Sequence, residues 1–250
     1  MQDTPTTGPP PPGMPRTVVI IPAHNEAESL PGVLDDLRRW APWADVVVID
    51  DGSRDATAQV ARAAGAPTVS LPCNLGVGGA VQTGYQYALD RGYEAAVQFD
   101  GDGQHRAAEV AGLVEALAGR QADLVIGSRL VEDRIRFRFS PLRFVGSRLL
   151  SALISRIARQ RVSDPTSGFR AASGRAIRFF ARHYPQTYLG DTAEAVVWAS
   201  RGGLRIAEVP AKMRQRKAGE SATGSLRGFA HTLRIVLAVL VDCLEERPES

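Results

Sequence analysis

Four apolar runs in the first half of the chain each break off abruptly into polar residues. Thr17-Val18-Val19-Ile20-Ile21 runs into Pro22-Ala23-His24-Asn25-Glu26, and Asp45-Val46-Val47-Val48-Ile49 into Asp50-Asp51-Gly52-Ser53. Ala95-Ala96-Val97-Gln98-Phe99 runs into Asp100-Gly101-Asp102-Gly103-Gln104-His105, and Asp123-Leu124-Val125-Ile126 into Gly127-Ser128-Arg129. Continuous apolar, β-branched runs read as strands buried on both faces. Between them lie stretches of helical spacing. Glu26 to Trp40 sets Leu30, Val33, Leu34 and Leu37 on one face, and Ala56 to Ala64, Gly79 to Arg91 and Ala107 to Ala118 follow. Thr68-Val69-Ser70 is a further short strand. Strands alternating with helices predict an α/β fold with a mostly parallel sheet and helices on both faces. Ligands of such sheets sit beyond the carboxyl ends of the strands, so all four polar clusters should face one crevice.

The remaining sequence sets bounds on this reading. A chain of 250 residues, 44% hydrophobic and 23% charged, suits one large α/β domain with a substantial core. Residues 1–15 are rich in Pro, Thr and Gly and read as a disordered tail. The domain is expected over 16–224, followed by an apolar or amphipathic helix and tail over 225–250. The N-terminus lacks the charged and apolar regions of a signal peptide, and no apolar run approaches the roughly 18 residues of a membrane span. A cytoplasmic protein is therefore expected. Cys73 and Cys243 lack metal-type spacing and read as free thiols. The net charge of +3 is too small to argue for nucleic acid, and no nucleic-acid module is visible.

Asp100 and Asp102 flank a glycine, so in extended backbone both carboxylates point one way. They would repel unless a cation lay between them, and hard ions such as Mg²⁺ or Mn²⁺ prefer carboxylate and phosphate oxygens. Gln104 is a candidate third ligand through its amide oxygen, and His105 through a ring nitrogen or as a phosphate contact. Alone, Asp-Gly-Asp-Gly is also an ordinary solvated turn; the convergence of four clusters favours the metal. Asp50, Asp51 and Ser53 suit ribose hydroxyls or a base edge, while Ser53 or Asp55 also suits the cap of the next helix. Asn74-Leu75-Gly76-Val77-Gly78-Gly79 precedes a helix, where glycines permit close approach to an anion or serve packing alone. Asp191 and Glu194 share a helical face as candidate general bases, or as a solvated acidic face.

In sum, IPAHNE (21–26), VIDDGS (48–53), NLGVGGAVQTG (74–84), FDGDGQH (99–105), GSR (127–129) and DPTSGFR (164–170) resemble family 2 glycosyltransferases of the Rossmann-like GT-A fold. The similarity is greatest to the dolichyl- or polyprenyl-phosphate mannose synthase branch and covers about residues 16–224. The resemblance implies that Pro22, His24, Glu26 and Asp51 line a nucleoside pocket, with Asn74 and Gly78 beside the donor. It implies that Asp100, Asp102 and Gln104 hold Mg²⁺ or Mn²⁺ on the diphosphate, and that Arg129 neutralises phosphate charge. Arg143 and Ser147, with Ser167, match the family's acceptor-phosphate segments. Arg216, Gly219 and Ser221 match a late segment that closes over the phosphates. The chain departs from many members at His24, where Tyr is common, and at Val77, where Lys is common.

The expected activity is inverting transfer of a hexose from a GDP- or UDP-linked donor to a polyprenyl phosphate at the cytoplasmic membrane face. The alternatives are a soluble glycosyltransferase with a small hydroxylated acceptor and a non-catalytic nucleotide-sugar-binding protein. Arginines crowd between Arg134 and Arg161, interleaved with Phe137, Phe139, Phe144, Leu149, Leu150, Leu153, Ile154 and Ile157. A basic helix with an apolar face suits an anionic lipid surface or a plain core-packed helix. Phe229 to Leu244 suits the membrane, the core or a homodimer partner.

Overall fold

The computed structural model describes residues 13–130, 141–185 and 191–214, the side chains of 141–145 and 191 excepted. The order along the chain is β1 (Thr17–Ala23), α1 (Leu30–Trp40), β2 (Asp45–Asp50), α2 (Thr57–Ala63), β3 (Thr68–Ser70), α3 (Gly76–Asp90) and β4 (Ala95–Gln98). It continues with α4 (Val110–Gly119), β5 (Leu124–Ser128), α5 (Pro141–Ala158), β6 (Arg170–Ser173), α6 (Gly174–Arg182), α7 (Asp191–Arg201) and β7 (Ile206–Pro210). The strands form one sheet in the order β3-β2-β1-β4-β6-β5-β7. It is the mostly parallel sheet that the alternating runs predict. β6 alone among the described strands runs against its neighbours, β4 and β5.

The core lies on both faces of this sheet. Val18, Ile20, Val47 and Ile49 pack with α3, α6 and α7 on one side, whereas Val19, Ile21, Val48 and Val97 pack with α1 and α4 on the other. Val18 to Ile21 are all 0% exposed, which explains why β1 shows no polar alternation. Each such side chain contributes about 2 kcal/mol of burial. α3 approaches β1 closely because Gly84 leaves no room between them: a Cβ there would lie 2.2 Å from Ile20 Cγ2.

The strand order reverses between β1 and β4, since β2 and β3 extend to one side of β1 and β4 begins the other. That reversal opens a crevice at the carboxyl ends, where an open α/β sheet takes its ligands.

α1 starts at Leu30, four residues after its expected start. The N–H groups of Glu26 and Ala27 are drawn away to Thr57 Oγ1 (2.9 Å) and Asp55 Oδ2 (3.1 Å), so the strand end stays irregular. The cap position of α2 is Ala56, with no side-chain cap bond, so neither expected cap residue occupies it: Asp55 Oδ1 accepts the Thr57 N–H at 2.9 Å from one residue earlier, and Ser53 Oγ accepts from Asn25 N–H at 3.0 Å.

α5 packs Leu150 and Ile154 into the core and leaves Leu149 64% exposed beside Arg148. Its described part therefore follows the core-packed reading, with one apolar side chain facing out. Residues 134–139 and the helix expected over 229–244 lie outside the described residues. Among the described residues Cys73 is a free, exposed thiol; Cys243 lies outside them.

Candidate functional site

Three of the four expected strand-end clusters meet at a cleft of about 390 Å³; the fourth, Gly127-Ser128-Arg129 after β5, is not in its wall, because Ser128 is buried and Arg129 turns to Asp164. The end of β1 supplies Pro22, Ala23, His24 and Glu26, the end of β2 supplies Asp51, and the end of β4 supplies Gln98, Asp100, Gly101 and Asp102. Val77 and Ala80 of α3, Thr166 and Gly168 of the loop before β6, and Thr192 of α7 complete the wall.

The β1 and β2 ends are locked together. Asp51 N–H donates to Ala23 O (2.9 Å), and His24 Nδ1 donates to Asp51 O at 2.7 Å. That leaves His24 Nε2 as the acceptor for Asn25 Nδ2–H at 3.0 Å. Asn25 manages this with a left-handed backbone, φ +56°, a conformation that asparagine tolerates. Asp51 is 3% exposed, and its Oδ1 accepts the Leu75 N–H at 2.7 Å, so one carboxylate both lines the cleft and fixes the approach to α3. Gly52 sits at φ +62°, and a Cβ there would come within 2.6 Å of the Cys73 and Asn74 backbone. Only glycine serves both the turn and the close approach.

Asp100 is held from behind. Its N–H donates to His105 Nδ1 (3.0 Å), which puts the ring's own N–H on Nε2, 3.4 Å from Asp100 Oδ2. The ring is 3% exposed and lies between Phe99 and Phe169, with centroids 5.3 and 4.9 Å away. His105 thus orients Asp100 and does not reach the cleft; the expectation that it ligates a metal or touches phosphate is corrected. Asp102 Oδ1 accepts the Gln104 N–H at 3.0 Å, and Gln104 Nε2 donates to Asp102 Oδ2. Opposite, Gly168 lets the loop close on Asp100, since a Cβ there would sit 3.0 Å from Asp100 Oδ2.

The loop carrying Thr166 and Gly168 is clamped from two sides. Arg129 grips Asp164 through Nε–Oδ2 (2.7 Å) and Nη2–Oδ1 (2.8 Å) and also reaches Thr166 Oγ1 (3.0 Å). Burial alone would raise the Asp164 carboxyl, but the bonds and charge of Arg129 outweigh it and hold Asp164 below the usual carboxylate range. Burial likewise works against the Arg129 cation, and Asp164 and Asp100 more than restore it. On the other side, Glu208 of β7 accepts the N–H groups of Ser163 (2.8 Å) and Asp164 (2.9 Å). Arg170 donates Nε and Nη2 to the Ser167 and Pro165 carbonyls, each at 2.7 Å.

Other expected residues fall elsewhere. Ser167 is 1% exposed and spends its hydroxyl on Gly127 O (2.7 Å), so it is a strut of the loop, not an acceptor contact. Glu194 is 0% exposed and outside the cleft wall, because it faces the core side of α7; Thr192 is what α7 presents. Asn74 is exposed and turns its Oδ1 to the Gly76 N–H (2.9 Å), while Gly78 is buried in the first turn of α3, so Val77 and Ala80 line the cleft in their place. Ser147 is half-buried on α5, away from the wall. The side chains of Arg143 and Asp191 and all of Arg216, Gly219 and Ser221 lie outside the described residues. Gln98, Glu208 and Thr192 carried no sequence signal; Gln98 alone had a visible oddity, an amide at the end of an otherwise apolar strand.

The donor set of the Asp100–Asp102 corner is hard oxygen. Among the described residues no cluster of three or more His, Cys, Asp or Glu is placed to hold a metal ion, as an all-protein cage would require. Two carboxylates at an open cleft suit Mg²⁺ or Mn²⁺, which complete their shells with water and substrate phosphate.

A model described as Glycosyl transferase family 2 matches residues 18–183. An undecaprenyl-phosphate mannosyltransferase of Micrococcus luteus is 36% identical over 222 residues, covering 86% of this chain and 90% of that protein. A polyprenol monophosphomannose synthase of Mycolicibacterium smegmatis is 30% identical over 214 residues, covering 82% and 80%. Among solved structures, glucosyl-3-phosphoglycerate synthase from Mycobacterium tuberculosis, crystallised with Mn²⁺, UDP and glucosyl-3-phosphoglycerate, superposes with a TM-score of 0.70. It covers 94% of this chain and 82% of that one at 22% identity, a likeness of fold.

Proposed function

The chain belongs to glycosyl transferase family 2, with the GT-A fold, and from that premise we propose that this glycosyltransferase moves a hexose from a nucleotide-diphosphate sugar to a polyprenyl phosphate with inversion. The observation that carries the reading is the meeting of the β1, β2 and β4 ends at one cleft, with both Asp100 and Asp102 in its wall. The lipid acceptor rests on the relatives, an undecaprenyl-phosphate mannosyltransferase and a polyprenol monophosphomannose synthase.

In this reading Pro22, His24, Glu26 and Asp51 receive the nucleoside of a GDP- or UDP-linked sugar. Asp100 and Asp102 hold a divalent ion, Mg²⁺ or Mn²⁺, which when bound offsets the charge of the departing diphosphate. Gln104 is the proposed third ligand through Oε1, while its Nε2 donates to Asp102. His105 fixes the direction of Asp100. The Arg129–Asp164 pair holds the loop that faces the donor, and Arg129 lends positive potential toward Asp100 and the phosphates without leaving Asp164. A phosphate acceptor has its second pKa near 6 and is largely anionic at neutral pH, so it attacks without a general base. Glu194, shut into the core, is not proposed as one; Asp191, at the start of α7, stands beside the cleft residue Thr192. Arg143, Ser147, Arg216 and Ser221 remain the proposed acceptor and closing residues of the 16–224 domain.

Among the described residues no helix is long and apolar enough to cross a membrane. The proposed contact with lipid is peripheral, through the basic α5 segment and the 225–244 stretch. The test is transfer with Mn²⁺ and GDP-mannose or UDP-glucose, offering undecaprenyl phosphate or a soluble hydroxylated acceptor. Label passing into the organic phase only with the lipid phosphate and the divalent ion is the expected result. Transfer to the soluble acceptor alone overturns the lipid reading, and donor binding without transfer to either overturns the enzymatic role.

A further inference from the structure

The fold leaves two polar side chains under the cleft unaccounted for. Gln98 ends β4, is 1% exposed and lines the cleft, yet among the described residues neither Oε1 nor Nε2 has a hydrogen-bond partner. Its Cα partner across the β4–β6 ladder is Arg170, also 1% exposed. Arg170 commits Nε and Nη2 to the loop carbonyls and leaves Nη1 without a partner among the described residues. Directly opposed residues of an antiparallel pair share a face of the sheet, with Cβ atoms about 5 Å apart. Buried polar groups in native folds are almost always bonded, so Gln98 in the wall of a ligand cleft, with Arg170 opposed to it in the ladder behind, marks a place where a ligand completes them.

The chemistry of the pair selects the ligand. Phosphate oxygens only accept, and would leave the Gln98 carbonyl unmet. A hydroxyl both donates and accepts, so it satisfies either arm of an amide. Arg170 Nη1 adds a second donor on the same face. Neighbouring hydroxyls on a sugar ring match this set of one acceptor and two donors. The position agrees, because Gln98 lies two residues before Asp100, where the diphosphate is proposed to sit. Ala80 and Thr192 form the sides.

We propose that Gln98, backed by Arg170 Nη1, forms the floor of a subsite that hydrogen-bonds the ring hydroxyls of the transferred sugar and sets which hexose is accepted. This rests on the glycosyltransferase reading above.

The experiment is calorimetric titration of the full chain with Mn²⁺ and matched pairs of ligands, GDP against GDP-mannose and UDP against UDP-glucose. The variant is Gln98→Met, which keeps the volume and removes both bonding arms. The subsite predicts that affinity for the sugar-linked member of the bound pair falls about tenfold, the loss of one or two hydrogen bonds. Affinity for the bare nucleotide should stay within about twofold, and Tm should be unchanged or higher. Should the Met protein not fold, Gln98→Asn makes the same comparison with the amide drawn back by one methylene. Equal loss for both members of a pair, or no loss for either, overturns the subsite. So does a fall in Tm without change in sugar affinity, which marks an amide satisfied by structural water. If the wild-type chain binds no member of either pair, the donor reading itself fails and takes the subsite with it; if it binds them and only the variant comparison fails, the subsite alone is lost.

Discussion

Asp102 touches no strand ladder and caps no helix; its bonds run to Gln104 alone among the described contacts, so removing it should cost activity and little stability. Asp102→Ala is expected to lower transfer by at least about a hundredfold, as loss of a group that stabilises departing charge does. It should also abolish the Mn²⁺ dependence of nucleotide binding, read by titration, with Tm nearly constant. Arg129 has the opposite profile. Its guanidinium neutralises a carboxylate that is 1% exposed, and Arg129→Met should destabilise by about 3 kcal/mol at pH 7 in urea unfolding. The pH dependence follows from the depressed Asp164. In the wild type the pair's contribution is complete above the unfolded carboxylate value of about 3.9 and drains away as pH falls through the lower folded value. In the variant the buried acid is instead pushed up, so it is most stable when protonated, and the gap between the two proteins should shrink toward acid pH. Of the residue-scale picture, the strand-end acids Asp51, Asp100 and Asp102 were legible because each follows directly on an apolar buried run, although Asp102 lies in a turn past the end of β4 and not in extended backbone. Ser167 and Glu194 were misplaced because sequence shows that a side chain is polar but not whether its neighbours are backbone carbonyls or solvent.

The elements were legible where a single physical rule governs them. β1, β2 and β4 are apolar runs buried on both faces, and nothing else in the chain competes with that reading. The late start of α1 was not, because the two side chains that draw off its first amides, Asp55 and Thr57, come from thirty residues downstream. β6 was also not read, since Arg170-Ala171-Ala172-Ser173 has neither β-branching nor length; it forms because it fills the gap between β4 and β5. Glycine contacts give the sharpest test at this scale. Gly84→Ala would drive a methyl into Ile20 and should destabilise by about 1–3 kcal/mol while loosening the seat of Val77 and Ala80. Gly52→Ala combines a left-handed φ with a backbone clash and should cost at least about 1 kcal/mol. Unfolding in urea reads both, and nucleotide affinity should fall with the second, because Gly52 adjoins Asp51.

Over the whole molecule the α/β architecture and the end of the sheet that carries the site could both be read from residues 17–129, whereas the far wall was legible only as the motif at 164–170 and not in its placement, because it is built from a loop with no regular period. Ligand linkage offers a global check. With Mn²⁺ and a true donor at about a hundred times its dissociation constant, the chain should gain about 2.7 kcal/mol and a matching rise in Tm, and Asp102→Ala should gain little. Anionic vesicles should retain the chain at low salt and release it as ionic strength rises, since screening acts on the exposed arginines of α5. The sheet order has one more result. The nucleoside side, β3-β2-β1-β4, comes from one unbroken stretch of chain, whereas β6 must return from residue 170 to pair with β4 and bring the second wall with it. Such distant pairings form late in folding. During refolding a fluorescent nucleotide should therefore be captured before catalytic turnover recovers, the maturing enzyme holding its leaving group before it has a place to send the sugar.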